Sequence, residues 1–367
     1  MNPPQSQPQS AVRRFLKRIE VPIDEDAHYK NDHWTNRDLI PMPADRRTYK
    51  IWSYFIYWCV SGMCISAYSL GATLLAFGLT PQQATGAIVV GALCVGLLSV
   101  ACGWMGERHH IGFTVACRYT WGMRGAYFPV VIGLYCERHI LVFKPDISYF
   151  LTKVLYFHSW DGLQAYWGGQ AMTVMLGAII PGLAHMKSTL AGGILMTKDL
   201  IGMLYVLVLS SHPHIRNLTR HWNSIYYIFF LAIMTIPPER LQRPFIVSSV
   251  LFCGTLIGLL AWAVSTVGGG GPMWKEPGTP VNGNVGWSMV FAITSILGAW
   301  GGGTNSQSDW TRYANRPYAP TLSQMVAAPL VIIVTATVGI LVTSCAQQIT
   351  GQVIWNPIIL LGTLQDF

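Results

Sequence analysis

The sequence predicts an all-α polytopic membrane protein, and three observations carry the prediction. Of the 367 residues, 51% are hydrophobic and only 11% are charged, against about 25% charged in an average soluble domain, and the mean hydropathy is +0.38. Apolar runs of about 20 residues recur along the chain, each long enough to cross about 30 Å of hydrocarbon. One of these runs is interrupted: from Gly298 it passes Trp300 and the glycines Gly301, Gly302 and Gly303 into a polar segment with Asp309 and Arg312. Each glycine costs about 1 kcal/mol against alanine inside a helix, and freed backbone at membrane depth is tolerated only against protein or a wet cavity. The stretch is therefore expected to break its helix and to form a binding site.

Taken in order, residues 1–50 are polar, with Arg13, Arg14, Lys17 and Arg18 but no adjacent apolar core of a signal peptide, and are expected to be a cytoplasmic tail. The first span runs from about Trp52 to Leu79 and carries small and polar residues, Ser61, Gly62, Cys64 and Ser66, near its middle. Such a cluster suits either a close helix crossing or a break. Ala84 to Trp104 forms the second span. The segment after it, with Glu107, Arg108, His109, His110, Arg118 and Arg124, reads as a loop. The paired histidines have no third ligand nearby and read as solvated rather than metal-binding.

A third span opens at Gly125, is interrupted by charges from Glu137 to Asp146, and is completed by Trp160 to Ile180. A fourth begins at Asp199, is interrupted between Ser210 and His221, and resumes from Ile225 to Ile236. Charged residues cost about 2.5–3.5 kcal/mol each at the centre of a membrane helix, so both interruptions read as insertions, near 134–155 and 207–224. Phe245 to Val267, Met289 to Gln307 and Ala328 to Ala346 are the fifth, sixth and seventh spans. The stretch 268–287 reads as a connector, since no Gly-Lys-Ser/Thr follows its glycines.

Basic residues gather in the tail and after the second, fourth and sixth spans (Arg108, Arg118, Arg124; Arg240, Arg243; Arg312, Arg316), which places these segments on the cytoplasmic side. The net charge of +8 is thereby read as membrane orientation and not as a nucleic-acid surface. The eight cysteines show no Cys-x-x-Cys or Cys/His ligand spacing and are expected to be reduced, without zinc. No nucleophile–base pair converges in the spans, which disfavours an enzyme.

Asn36 to Pro41, Arg47-Thr48-Tyr49, Arg118-Tyr119 with Gly122 to Ala126, Gly162 to Gln170, Pro237 to Arg240 and Ser308 to Tyr313 lie in order over most of 36–363. Together these segments resemble the nucleobase-cation symporter family, in its fungal uracil, allantoin, uridine and thiamine permease branch. The resemblance implies a LeuT-type fold of about twelve spans, two inverted five-helix repeats with broken first and sixth helices, and a site near the midplane. It places the breaks around Gly62 and Gly301 at corresponding points of the two repeats. Carried over by position, Trp160 is similar to the tryptophan that stacks on a planar heterocycle, Gln164 to the glutamine that pairs with its amide edge, and Trp300 to the second aromatic wall. Gly301 would present backbone to the substrate, while Gly62 and Met63 would supply first-helix ligands to the coupling ion, H+ or Na+. No other cofactor is expected. Asp309 and Arg312 read as the polar cytoplasmic end of the sixth helix rather than a proton relay.

The implied organisation is a tail (1–50), a first five-helix repeat (51–267, with the two inserts), an external connector (268–287) and two helices of an incomplete second repeat (288–367). The eighth-helix ligands of the family lie beyond it. The inserts are read as translated retained introns. The expected function is a cation-coupled permease of the plasma membrane, N-terminus cytoplasmic, that imports a nucleobase-like molecule by alternating access. Its partners are that small molecule and the lipid bilayer. The alternative is a truncated, transport-inactive membrane protein.

Overall fold

The computed structural model describes residues 39–129, 236, 238–281 and 283–365, together with scattered helical positions between Trp167 and Ala178. Residues Met1–Ile40 and Pro41–Phe367 form two separate units, and the first contributes only Leu39 and Ile40, a turn and a bend. The inserts near 134–155 and 207–224, and most of the third and fourth spans, lie outside the described residues.

The described residues of the larger unit are almost entirely helical: α1 (Ile51–Gly62), α2 (Ile65–Ala76), α3 (Pro81–His109), α4 (Phe113–Gly125), α5 (Gln242–Val267), α6 (Val285–Asn305), α7 (Ser308–Thr311), α8 (Ala319–Thr350) and α9 (Pro357–Gln365). Four of them, α3, α5, α6 and α8, are long and apolar enough to cross a membrane, and the bent pair α1 and α2 makes a fifth candidate when counted as one span. These elements cover the first, second, fifth, sixth and seventh spans expected from hydropathy. The segment after the second span differs from its expected loop. Only three residues separate α3 from α4, because Gly112 starts a new helix at Phe113 and the left-handed His110 (φ 55°) ends the old one.

Local chemistry sets the helix ends. Thr80 and Gln83 form a reciprocal cap at the start of α3, with Pro81 in its first turn, so two N–H groups that a helix start leaves free find side-chain acceptors. Asn284 does the same for α6, its Oδ1 accepting from Gly286 N–H at 2.8 Å. Gly268 and Gly351 close α5 and α8 in the left-handed region, at φ 72° each.

Packing follows from small residues at helical spacing. On α3, Ala84, Ala87, Gly91, Val95, Gly96, Ser99, Gly103 and Gly106 are buried, while Val90, Leu93, Leu97 and Leu98 face outward. A methyl at Gly91 would lie 2.9 Å from Ile296 of α6, and one at Gly96 would lie 2.9 Å from Pro329 of α8. Helix α8 is the hub and packs on α1, α2, α3 and α5. Its crossing with α2 is reciprocal: Gly71 meets the Ala336 carbonyl, and Gly339 meets the Tyr68 carbonyl.

The ends of the bundle have distinct composition. At one end Tyr49 N–H donates to the Tyr313 carbonyl (3.0 Å), Tyr49 OH to the Pro238 carbonyl (2.8 Å) and Met42 N–H to the His110 carbonyl (2.8 Å). The strap 41–50, the α3–α4 junction, the start of α5 and the segment after α7 thus meet on one side, the four places where the basic residues lie. At the other end Gly78 (φ 82°) packs under the Thr279 carbonyl, and Val281 N–H donates to Phe77.

Candidate functional site

The first expected break is present. Helices α1 and α2 meet at 50° across Met63 and Cys64. Met63 N–H still reaches the Cys59 carbonyl at 2.8 Å, but Cys64 is extended (φ −144°, ψ 165°), so the ladder stops there. A helix end leaves its last carbonyls without partners in the helix, and one of these, Ser61, accepts from the Trp300 indole N–H at 3.4 Å. Trp300 is 6% exposed and lies in the same apolar core as Trp58 and Ile332. Two of the residues singled out in the sequence, Trp300 and the Gly62 region, are therefore brought together.

Gly62 is also a packing position. A methyl there would come within 2.9 Å of Val331 Cγ1, so glycine lets α8 lie against the bend. Met63 forms the link between the two half-helices. Trp160 and Gln164 lie outside the described residues.

The second expected break is displaced. Helix α6 continues through Gly301, Gly302 and Gly303 to Asn305, and the interruption falls at Ser306 and Gln307. Gly301 is helical, its carbonyl accepting the Thr304 hydroxyl at 2.9 Å, and so does not offer unwound backbone. Intrinsic propensity is a weak term that tertiary context overrides. The ladder ends where the Ser306 hydroxyl turns back to the Gly302 carbonyl (3.2 Å) and Gln307 N–H takes Thr304, three residues back.

Beyond that interruption, Asp309 and Arg312 belong to a junction and not to a free helix end. Asp309 Oδ1 accepts Phe113 N–H at 2.9 Å and so caps α4 from another element. Gly112 leaves the room for it, since a methyl there would sit 2.6 Å from that oxygen. His110, expected in solvent, is half-buried, and its Nδ1–H donates to the Arg312 carbonyl at 3.1 Å. Burial holds the His110 imidazole below its ordinary range, the carbonyl bond opposes this, and the nearby charges of Arg47 and His109 add to the lowering.

Two features escaped the sequence reading. Glu107 is 6% exposed and accepts Tyr318 N–H (2.7 Å) and the Thr321 hydroxyl (2.5 Å), so it caps α8. Its position among Arg108 and two histidines masked it as a loop residue. The second is an aromatic plug under the strap: Tyr49, Tyr54, Tyr57, Phe245, Trp310 and Tyr313, with Tyr57 and Trp310 centroids 4.7 Å apart and Tyr49 and Tyr313 centroids 5.5 Å apart. The spacing of Tyr49, Tyr54 and Tyr57 was its only trace. A cleft of about 460 Å³ beside α9, lined by Ala171, Val174, Met175, Ile358, Leu361 and Leu364, has only aliphatic and thioether walls. It lacks the polar groups needed to read a heterocycle.

The geometry gives a bent span with a buried tryptophan at its bend in a polytopic bundle, and comparison with known proteins gives the family. Residues 41–137 and 147–367 match the family of permeases for cytosine/purines, uracil, thiamine and allantoin. The chain belongs to that family. It is therefore an integral membrane protein of a permease family, whose relatives are transporters and not enzymes. The gap in the match, 138–146, falls inside the first expected insert, whereas the second is spanned without interruption. An uncharacterised permease of Schizosaccharomyces pombe is 25% identical over 359 residues, covering 98% of this chain and 54% of its own. The uridine permease of Saccharomyces cerevisiae is 24% identical, covering 98% and 50%, and a thiamine transporter of the same yeast is 23% identical, covering 94% and 51%. The chain spans about half the length of these relatives.

Proposed function

We propose that this chain provides the first repeat and the opening helices of the second repeat of a LeuT-type carrier. That carrier imports a planar nitrogenous heterocycle of the uracil, allantoin, uridine or thiamine kind by alternating access. The observation that carries the reading is the Trp300 indole against the Ser61 carbonyl at the 50° bend. It joins an aromatic wall to broken backbone, which is the pairing that recognition of a flat ring with alternating C=O and N–H groups requires. Trp160 would face Trp300 across the ring, and Gln164 would read its edge. Gly301 lies one residue along α6 from Trp300, so its role narrows to letting the ring approach.

The coupling ion, H+ or Na+, is assigned to the carbonyls of Gly62 and Met63, where a bend exposes oxygen dipoles at membrane depth. The strap end is assigned to the cytoplasm, because the basic segments converge there, and the membrane is the plasma membrane.

Radiolabelled uracil, allantoin, uridine and thiamine uptake in a permease-deleted host tests the reading. Accumulation that is lost in Trp300→Ala and Trp160→Ala supports it. Well-inserted protein that accumulates none of the four returns the chain to a transport-inactive membrane protein.

A further inference from the structure

The outward row of α3 ends in a side chain that the heterocycle site does not use. Val90, Leu93, Leu97, Ala101, Trp104 and Arg108 are all exposed and recur every three or four residues, so they share one face of the helix. In an integral membrane protein that face meets lipid. Trp104 is of the kind that sits at headgroup level, and Arg108 follows it by one turn. Tyr318, at the start of α8, is also exposed, and Leu322, Met325 and Val326 begin the outward face of that helix. Arg108 and Tyr318 therefore stand where two apolar helix faces give way to the strap end.

The two side chains hold each other. Arg108 Nη2 donates to the Tyr318 hydroxyl at 2.9 Å, and the guanidinium carbon lies 4.8 Å from the centre of the Tyr318 ring. An arginine that only snorkels toward water needs neither contact. Tyr318 keeps a left-handed backbone (φ 64°), which glycine adopts more readily than tyrosine. Glu107 fixes it there by accepting its N–H at 2.7 Å, and accepts the Thr321 hydroxyl as well. The carboxylate next to Arg108 in sequence is thus buried and committed inward. The outer side is left rich in donors: the other guanidinium N–H groups, the Tyr318 O–H, and the Trp104 indole N–H one turn back. A guanidinium fork held flat on a ring, with further donors beside it, matches the oxygens of a phosphate.

We propose that Arg108, Tyr318 and Trp104 bind the phosphate of an anionic phospholipid in the leaflet at the strap end. Continuity with the outward faces of α3 and α8 selects a lipid over free phosphate, since the acyl chains of a headgroup held there run along those apolar rows. The basic segments gathered at this end favour a headgroup of net negative charge over a zwitterion. The inference needs membrane insertion but no transport, and so stands or falls apart from the reading of the heterocycle site.

The test uses the full chain, purified in detergent and titrated with phosphatidylserine, phosphatidylinositol or phosphatidylcholine, with bound lipid measured by native mass spectrometry. Both anionic lipids are expected to bind about fivefold or more tightly than phosphatidylcholine. Arg108→Lys keeps the charge but loses the fork and the ring stack, while Tyr318→Phe keeps the ring and the Glu107 bond but loses the hydroxyl. Each should weaken both anionic lipids about fivefold and leave phosphatidylcholine unchanged, which also shows that the variant is folded. Arg243→Gln removes an exposed charge at the start of α5 and should change nothing. Equal binding of the three lipids by the unaltered chain overturns the proposal. So does anionic-lipid binding that survives Arg108→Lys, or that falls as far in Arg243→Gln, because diffuse positive charge then suffices. Displacement of the lipid by excess inorganic phosphate overturns the lipid assignment in favour of a soluble phosphate.

Discussion

Single residues at the strap end act mainly by supplying hydrogen bonds that helix termini lack. Glu107 serves the start of α8, Asp309 the start of α4, and His110 holds the Arg312 carbonyl. Removing Glu107 by alanine leaves Tyr318 N–H and Thr321 without their acceptor, at an expected cost of about 1–3 kcal/mol read as a lowered Tm in detergent. His110 gives a pH test with a definite sign. Its folded-state pKa is lowered from 6.5, so the unfolded chain binds the proton more readily and folding stability falls as pH drops below that value. The contribution is full above it. Wild-type Tm should therefore decline between pH 7.5 and 5.5 more steeply than that of His110→Asn, which tolerates the left-handed backbone and keeps a donor. Equal slopes would remove His110 from the account.

At the scale of helices, the glycines divide into those that set a crossing and those that do not. Gly71 and Gly339 face carbonyl oxygens across the α2–α8 contact, whereas Gly254 and Gly258 of α5 have open space around them. Alanine at either of the first pair forces the helices apart, with an expected loss of about 1–3 kcal/mol. At Gly254 or Gly258 it should stabilise by up to about 1 kcal/mol, and thermal unfolding of the four variants compares them directly. This difference explains what was legible in the sequence. Apolar runs and the Gly62 cluster announced spans and the first bend, because hydropathy and small size are properties of the residues themselves. The position of the second interruption was not legible: glycine content pointed to Gly301 to Gly303, while the side-chain bonds of Thr304 and Ser306 and the packing of Gln307 decide it. Those are relations between residues, and a single sequence does not display them. Glu107 was missed for the same reason, its partners lying over 200 positions away.

At the scale of the whole bundle, the strap, the α3–α4 junction, the start of α5 and the end of α7 converge in one layer of the described residues. The basic-residue pattern had assigned these segments to one side without showing that they touch. Tyr49 is central to that layer: it is fully buried, bridges to Ala314, donates its phenol to Pro238 and stacks among Tyr54, Trp310 and Tyr313. Replacing it with alanine removes one side-chain bond and several ring contacts, together about 1–3 kcal/mol. Opening at that end should become about 5- to 150-fold more frequent. Cys59, buried on α1 two residues beyond Tyr57, reports this when the other cysteines are serine. An impermeant maleimide supplied on the strap side should label it faster in Tyr49→Ala than in the unaltered strap, and substrate that holds that end shut should slow both. Labelling that is equally fast with and without Tyr49 means that the strap only decorates that end, and the closure must then be sought deeper, at Trp58 and Trp300.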